Sequence, residues 1–228
     1  MKTALLVGCG RNFGYDLTKC YLDAGYSVWN MGSHSIEGCN FLEISWKTLD
    51  IVKLKEIAEH LPSLDSVFFN HYAGTRIKFD DFRFVNQKQE LKDWTYTNWI
   101  NCQMPVYLIK ILSSKINKNT RIGWQLGWGN SLNLDMNDPQ WQHVPYASQK
   151  LTNFMAMRAF AQLANGIYYA TFPGHLTEDN RRERAERIFK IQESISEQDN
   201  GRAIHFDGTD YIGETDVSRA DTGSRNEP

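Results

Sequence analysis

The sequence predicts an α/β fold, with a central, mostly parallel sheet of about seven strands and helices on both of its faces. Three observations predict it. Short apolar runs rich in β-branched and aromatic residues alternate with segments whose apolar residues recur at helical spacing. The runs are mostly apolar throughout, as strands covered on both faces are. The chain has 228 residues, 41% of them hydrophobic, enough to bury one sizeable core, so residues 1–212 read as a single domain.

The elements follow in order. TALLVG (3–8) is a buried strand and YDLTKCYLDAG (15–25) a helix closed by Gly25. YSVWNMG (26–32) and CNFLEIS (39–45) are the second and third strands. Residues 46–62 set Leu49, Val52, Leu54, Ile57 and Ala58 at helical spacing before Pro62 stops them. LDSVFFN (64–70) is the fourth strand. A long apolar helix is expected over 93–116, with Pro105 kinking or restarting it. TRIGWQLG (120–127) is the fifth strand, residues 146–165 another apolar helix, and GIYYATFPG (166–174) the sixth strand. A charged helix over 181–195 leads to a seventh strand over 201–208. Residues 213–228 have almost no apolar content, which predicts a disordered tail.

Charge excludes several classes of partner. The 25 basic residues are matched by 27 acidic ones, so neither nucleic acid nor a membrane is an expected partner. Arg181, Arg182, Arg184 and Arg187 are interleaved with Glu183 and Glu186, the pattern of a solvated helix face. Cys9, Cys20, Cys39 and Cys102 are scattered without zinc-ligand spacing, so no metal is expected and a reducing, cytoplasmic setting is. The N-terminal apolar run, Ala4 to Val7, is too short for a signal peptide, and no segment reaches the length of a membrane span.

The first strand-to-helix corner is LLVGCGRNFGYDL (5–17). Such a corner aims backbone N–H groups and the positive end of a helix dipole at one point, and glycines let a pyrophosphate come close. The spacing GxGxxG fails because position 13 is Phe. Read as GxxxGxG, the segment supplies Gly8 and Gly14, with Asn12 at the middle glycine and Gly10 between. Asn tolerates a left-handed backbone better than other non-glycine residues, so the exchange is mild. Glycines also end strands for purely structural reasons.

Further motifs recur in order. FNHYAG (69–74) follows the fourth strand, YASQK (146–150) follows the fifth, and FPGHLT (172–177) ends the sixth. Together with the glycine corner they resemble the short-chain dehydrogenase/reductase family, over roughly residues 3 to 209. The resemblance implies a doubly wound, three-layer Rossmann fold. It places His71 and Tyr72 where the family has two Asn, ahead of Ala73 and Gly74. Asn101 falls where the family keeps an Asn that holds a water near the catalytic lysine. A YxxxK match arises easily by chance, and YDLTK supplies a second, Tyr15 and Lys19, read as ordinary helix surface. Position selects Tyr146 and Lys150.

Residues four apart share a helix face, so the Lys150 ammonium lies beside the Tyr146 hydroxyl, favours the phenolate and lowers its pKa. Tyr146 can then pass a proton to or from a carbonyl oxygen as a nicotinamide cofactor carries the hydride. The resemblance adds a role for Lys150 in holding the nicotinamide ribose. The family's strand-five serine matches Leu126 or Gly127, neither of which has a hydroxyl. Ser131, in the loop 127–145, either loops back to replace it or is plain loop polarity, and His143 is another candidate donor.

NAD-type sites carry an acid after the second strand, and WNMGSHS (29–35) has none. Arg11 suits a 2′-phosphate, with Ser33 and His34 adding hydrogen bonds, so NADP(H) is preferred over NAD(H). Glu43 resembles the family acid near adenine; Pro173, Gly174, Leu176 and Thr177 resemble the turn beside the nicotinamide. Trp124, Trp128 and Trp141 suggest an aromatic mouth or, equally, core packing. The short connection after PGHLT predicts an open site.

The leading reading is an NADP(H)-dependent oxidoreductase acting on a small-molecule carbonyl or secondary alcohol, assembled as a homodimer or homotetramer through the two long apolar helices. One alternative keeps the fold as a dinucleotide-binding regulatory or scaffolding protein without turnover. Another, a nucleotide-sugar epimerase or dehydratase, has little room in 228 residues for a substrate domain.

Overall fold

Every residue of the first strand, β1 (Thr3–Val7), is buried, as its unbroken apolar character requires. It lies inside a seven-stranded sheet with β2 (Ser27–Gly32), β3 (Asn40–Glu43), β4 (Leu64–Phe69), β5 (Ile116–Gln125), β6 (Ile167–Phe172) and β7 (Ala203–His205). The strand order is β3-β2-β1-β4-β5-β6-β7, and each neighbouring pair is parallel. The computed structural model describes residues 1–44, 51–71, 87–126, 144–174 and 176–210. The expected helical residues 46–50 and the tail 213–228 lie outside them.

Among the described residues, six helices flank the sheet: α1 (Asn12–Asp23), α2 (Ile51–His60), α3 (Gln87–Asn98), α4 (Met104–Ile111), α5 (Val144–Leu163) and α6 (Arg181–Ser194). Strand side chains alternate between faces, and β1 shows how that divides the core. Ala4 and Leu6 pack with Leu17, Tyr21, Phe68 and Ile188 under α1 and α6. Leu5 and Val7 join Val67, Phe69, Leu108, Trp124, Phe154 and Tyr168 under α2, α4 and α5.

The helix expected over 93–116 is not one helix. It runs as α3, a π turn over Trp99–Gln103, α4 and a 3-10 turn over Leu112–Lys115. Pro105 lies in the first turn of α4, where a missing N–H costs least. The Met104 N–H bonds back five residues to the Trp99 carbonyl, the spacing of a π turn. β5 begins earlier than expected, because Ile116 pairs with Leu64 across a register shift.

The arginine-rich helix is solvated as its charge pattern predicts. Arg182 pairs with Glu186 and Arg187 with Glu183, each one turn apart and exposed. Tyr15 and Lys19 also lie at the α1 surface, the ammonium 5.8 Å from the ring centroid.

Trp124 is fully buried, its ring stacked 4.9 Å from Phe69 and 6.1 Å from Tyr168. Of the two readings of this tryptophan, core packing is the one realised; Trp128 and Trp141 lie outside the described residues. Trp124→Ala is expected to cost about 3–5 kcal/mol of stability in chemical denaturation. Trp94→Ala, at a partly exposed position on α3, is expected to cost much less.

Candidate functional site

In this strand order the chain builds outward from β1 to β3, then restarts at β4 on the other side. The crevice beyond the carboxyl ends of β1 and β4 is therefore the switch point at which such sheets bind ligands.

One wall is the corner after β1. Gly8 has φ +75°, and a Cβ there would stand 2.6 Å from the His71 Cα. Only glycine lets the end of β4 come this close. Asn70 Nδ2 donates to the Gly8 carbonyl at 3.2 Å, tying the two strand ends together. Among the described residues, Asn12 is the only non-glycine with positive φ, at 48°, the backbone expected of an Asn in a glycine position. Gly14 sits in the first turn of α1, where a Cβ would meet Asn70 Nδ2 at 2.5 Å. Phe13 is buried in the core under α1. Arg11 caps the helix by position but gives it no side-chain hydrogen bond, and the first turn carries no acid. Neither the cap nor the first turn thus gives the positive end of α1 a side-chain counter-charge.

Gly10 abuts the loop after β2, where a Cβ would stand 2.8 Å from the His34 Cβ. Ser33 Oγ and His34 Nδ1 are 2.9 Å apart, and Asn30 Nδ2 donates to the His34 carbonyl at 3.0 Å. Glu43 ends β3, exposed and in register with Gly32. Arg11, Ser33 and His34 thus flank one end of the crevice, with Glu43 at the same edge of the sheet.

At the other end stand His71 and Lys150. The His71 ring is buried, edge-on to Phe69 at 5.8 Å, and neither ring nitrogen has a hydrogen-bond partner among the described residues. Burial, and then the positive charge of Lys150, hold its pKa well below the ordinary imidazole value, so the ring is neutral. Lys150 is buried on α5 and donates from Nζ to the Gln125 carbonyl at 3.1 Å, at the carboxyl end of β5. Burial lowers its pKa to about 8, and Cys102 works weakly against that shift. Cys102 itself is pushed up to about 11 by burial. The backbone of Tyr146 lies on α5 one turn before Lys150; its side chain is outside the description.

Asn101 is buried in the π turn. Its side-chain Nδ2 donates to Gln149 Oε1 at 2.8 Å, and its carbonyl accepts from Asn153 Nδ2. Pro173 and Gly174 are buried after β6, Gly174 with φ +71°. Leu176 packs on the α1–α6 core. The Thr177 N–H donates to Asn180 Oδ1 at 2.8 Å, and α6 begins at Arg181, whose Nε is 3.1 Å from Asp16 Oδ2 on α1.

The fold thus gathers the glycine corner, the loop after β2, His71, Lys150 and the turn after β6 along one sheet edge. Ser131, Tyr72, Ala73, Gly74 and His143 lie outside the described residues. Thr97, Gln149 and Asn153 were missed in the sequence. The signal for them was Pro105, which sits four residues after Asn101 and so denies its carbonyl the α-helical donor. A cation, an uncapped helix start and neutral buried donors suit an extended anionic ligand.

No family model matches the chain, and no curated protein matches it. Solved structures do. A carbonyl reductase from Pseudomonas aeruginosa in complex with NADP aligns with TM-score 0.75 and 15% identity, over 92% of this chain and 98% of that one. The carbonyl reductase Sniffer of D. melanogaster aligns with TM-score 0.73 and 15% identity, over 92% and 98%. A short chain dehydrogenase family protein from Francisella tularensis aligns with TM-score 0.70 and 17% identity, over 90% and 96%. At these identities the likeness is one of architecture: the chain has the three-layer Rossmann-type fold on which these dehydrogenases and carbonyl reductases are built.

Proposed function

We propose that the chain is a short-chain dehydrogenase/reductase-type enzyme that uses NADP(H) to interconvert a small-molecule carbonyl and a secondary alcohol. The observation that carries this reading is Lys150, a buried ammonium at the switch-point edge, one helical turn from Tyr146. The folds of solved carbonyl reductases, one of them in complex with NADP, support it.

The residues fit a dinucleotide. The uncapped start of α1 behind Gly8, Gly10, Asn12, Phe13 and Gly14 suits the pyrophosphate. Arg11, Ser33 and His34 suit a 2′-phosphate, and Glu43 stands toward the adenine end. His71, with Ala73 and Gly74 after it, and the turn Pro173, Gly174, Leu176 and Thr177 suit the ribose and nicotinamide. When bound, the cofactor supplies or accepts the hydride. Tyr146 donates a proton to the carbonyl oxygen, or removes one in reverse, and the Lys150 ammonium favours the phenolate this requires. Asn101 holds the helix opposite Lys150, and Ser131 is the candidate hydroxyl for the substrate oxygen.

Leu151 and Met155, exposed one turn apart on α5, and Tyr107, exposed on α4, support a homodimer or homotetramer through this face. Among the described residues no helix is long and apolar enough to cross a membrane, which agrees with a cytoplasmic enzyme. One observation favours the reading without turnover: β5 ends at Gln125 and continues into Leu126, which carries no hydroxyl.

The full-length protein is expected to bind NADPH and to consume it with at least one member of a carbonyl panel. Tyr146→Phe should lower kcat by at least about 100-fold and leave NADPH affinity nearly unchanged. Binding without Tyr146-dependent turnover would select the regulatory reading; no binding at all would discard both. Arg11→Ala should weaken NADPH by about tenfold and NADH little, as measured by fluorescence titration. Lys150 titrates near 8 in the folded chain against 10.5 for an ordinary lysine. Between those values the unfolded chain holds a proton the folded chain has released, so this group adds stability as pH rises through that window. Denaturation midpoints should show that rise, and Lys150→Met should remove it.

A further inference from the structure

We infer that Gln149 is a positioning residue, clamping α5 to the π turn and thereby setting where Lys150 and position 146 stand. The inference rests on the reading of Lys150 as a site residue and goes beyond it, since no motif marks Gln149, Thr97 or Asn153.

The clamp follows from donor accounting. An α-helical bond to the Asn101 carbonyl would need an N–H at position 105, and proline has none. Asn153 Nδ2 supplies that donor from α5. One turn earlier on the same helix, Gln149 Oε1 accepts from Asn101 Nδ2 at 2.8 Å, and Gln149 Nε2 donates to Thr97 Oγ1 at 3.0 Å. The Thr97 hydroxyl gives its own hydrogen to the Trp94 carbonyl at 3.1 Å, so toward Gln149 it can only accept. That dictates which way the Gln149 amide faces. Cys102 Sγ completes the set by donating to the Gln149 carbonyl at 3.3 Å.

Residue 149 is therefore held at its backbone and at both polar ends of its side chain, by groups on α3 and the π turn. Thr97, Asn101, Gln149 and Asn153 are all buried, so each broken bond leaves a buried group without its partner. A helix gripped at 149 and 153 cannot roll about its axis. Lys150, one residue on, is thereby aimed at the Gln125 carbonyl. Without the clamp, α5 turns, the ammonium reaches water, and the contact under the cofactor loosens.

The test uses the full-length protein with 13C-labelled lysines, following the Lys150 resonance, assigned with Lys150→Met, through a pH titration. Among the described side chains, the titratable groups acting on Lys150 are Cys102 on the π turn and His71 after β4, and both stay in place; Tyr146, one turn earlier on α5, is likewise unchanged in these variants. In Gln149→Leu the Lys150 midpoint should rise by about one unit toward an ordinary lysine, with NADPH affinity falling about tenfold. Thr97→Val should move both the same way, Thr97→Ser should keep both at wild-type values, and the double variant should add little to Gln149→Leu alone. A folded Gln149→Leu protein with wild-type midpoint and affinity would overturn the inference, as would Thr97→Ser behaving like Thr97→Val. If Gln149→Leu does not fold, the two Thr97 variants decide. If the wild type binds no NADPH, the proposed function falls, and the midpoints alone decide the role of Gln149.

Discussion

The architecture of the site depends on how closely β4 ends against the turn after β1. The hydrogen of Gly8 is all that separates that turn from the His71 backbone. A larger residue would push the two central strands apart at the edge where the crevice opens. Asn70 bonding to the Gly8 carbonyl, and Gly14 admitting the Asn70 amide, belong to the same contact. Because the sheet is parallel, this single approach sets the distance between the start of α1 and everything carried by β4, β5 and α5.

Two described groups across that gap favour negative charge. The start of α1 has no acid in its first turn, and Lys150 is a cation whose protonated form burial makes costly. His71 does not compensate, since its ring is held neutral. A buried ammonium and a helix start without a first-turn acid both favour negative charge, and an anion in the crevice would face the two together.

Much of this was legible from residue pattern. The chain positions of the seven strands were readable mainly from apolar runs, most cleanly for the fully buried β1 and β6, whereas the polar start of β5 was not. The left-handed Asn12 was readable because few other residues tolerate that backbone. What escaped was non-local. Pro105 signalled a break in the long helix, but a proline does not say which side chain will reach the carbonyl whose α-helical donor it removes. Asn153 does so from 52 residues away, a pairing that exists only once α5 lies against the π turn. Trp124 shows the same limit, since a tryptophan beside a site motif and one in a core look alike until the neighbours Phe69 and Tyr168 are known.

The stretch between β6 and α6 has a consequence for traffic. Residues 173–174 and 176–181 are spent on a buried Pro-Gly turn, a Thr177–Asn180 staple and the approach of Arg181 to Asp16. Among the described residues, nothing in that stretch is long enough to swing down over a guest molecule. A guest at this edge therefore gets no cover from the stretch between β6 and α6, and any discrimination by that stretch rests on the fixed shape of its turn.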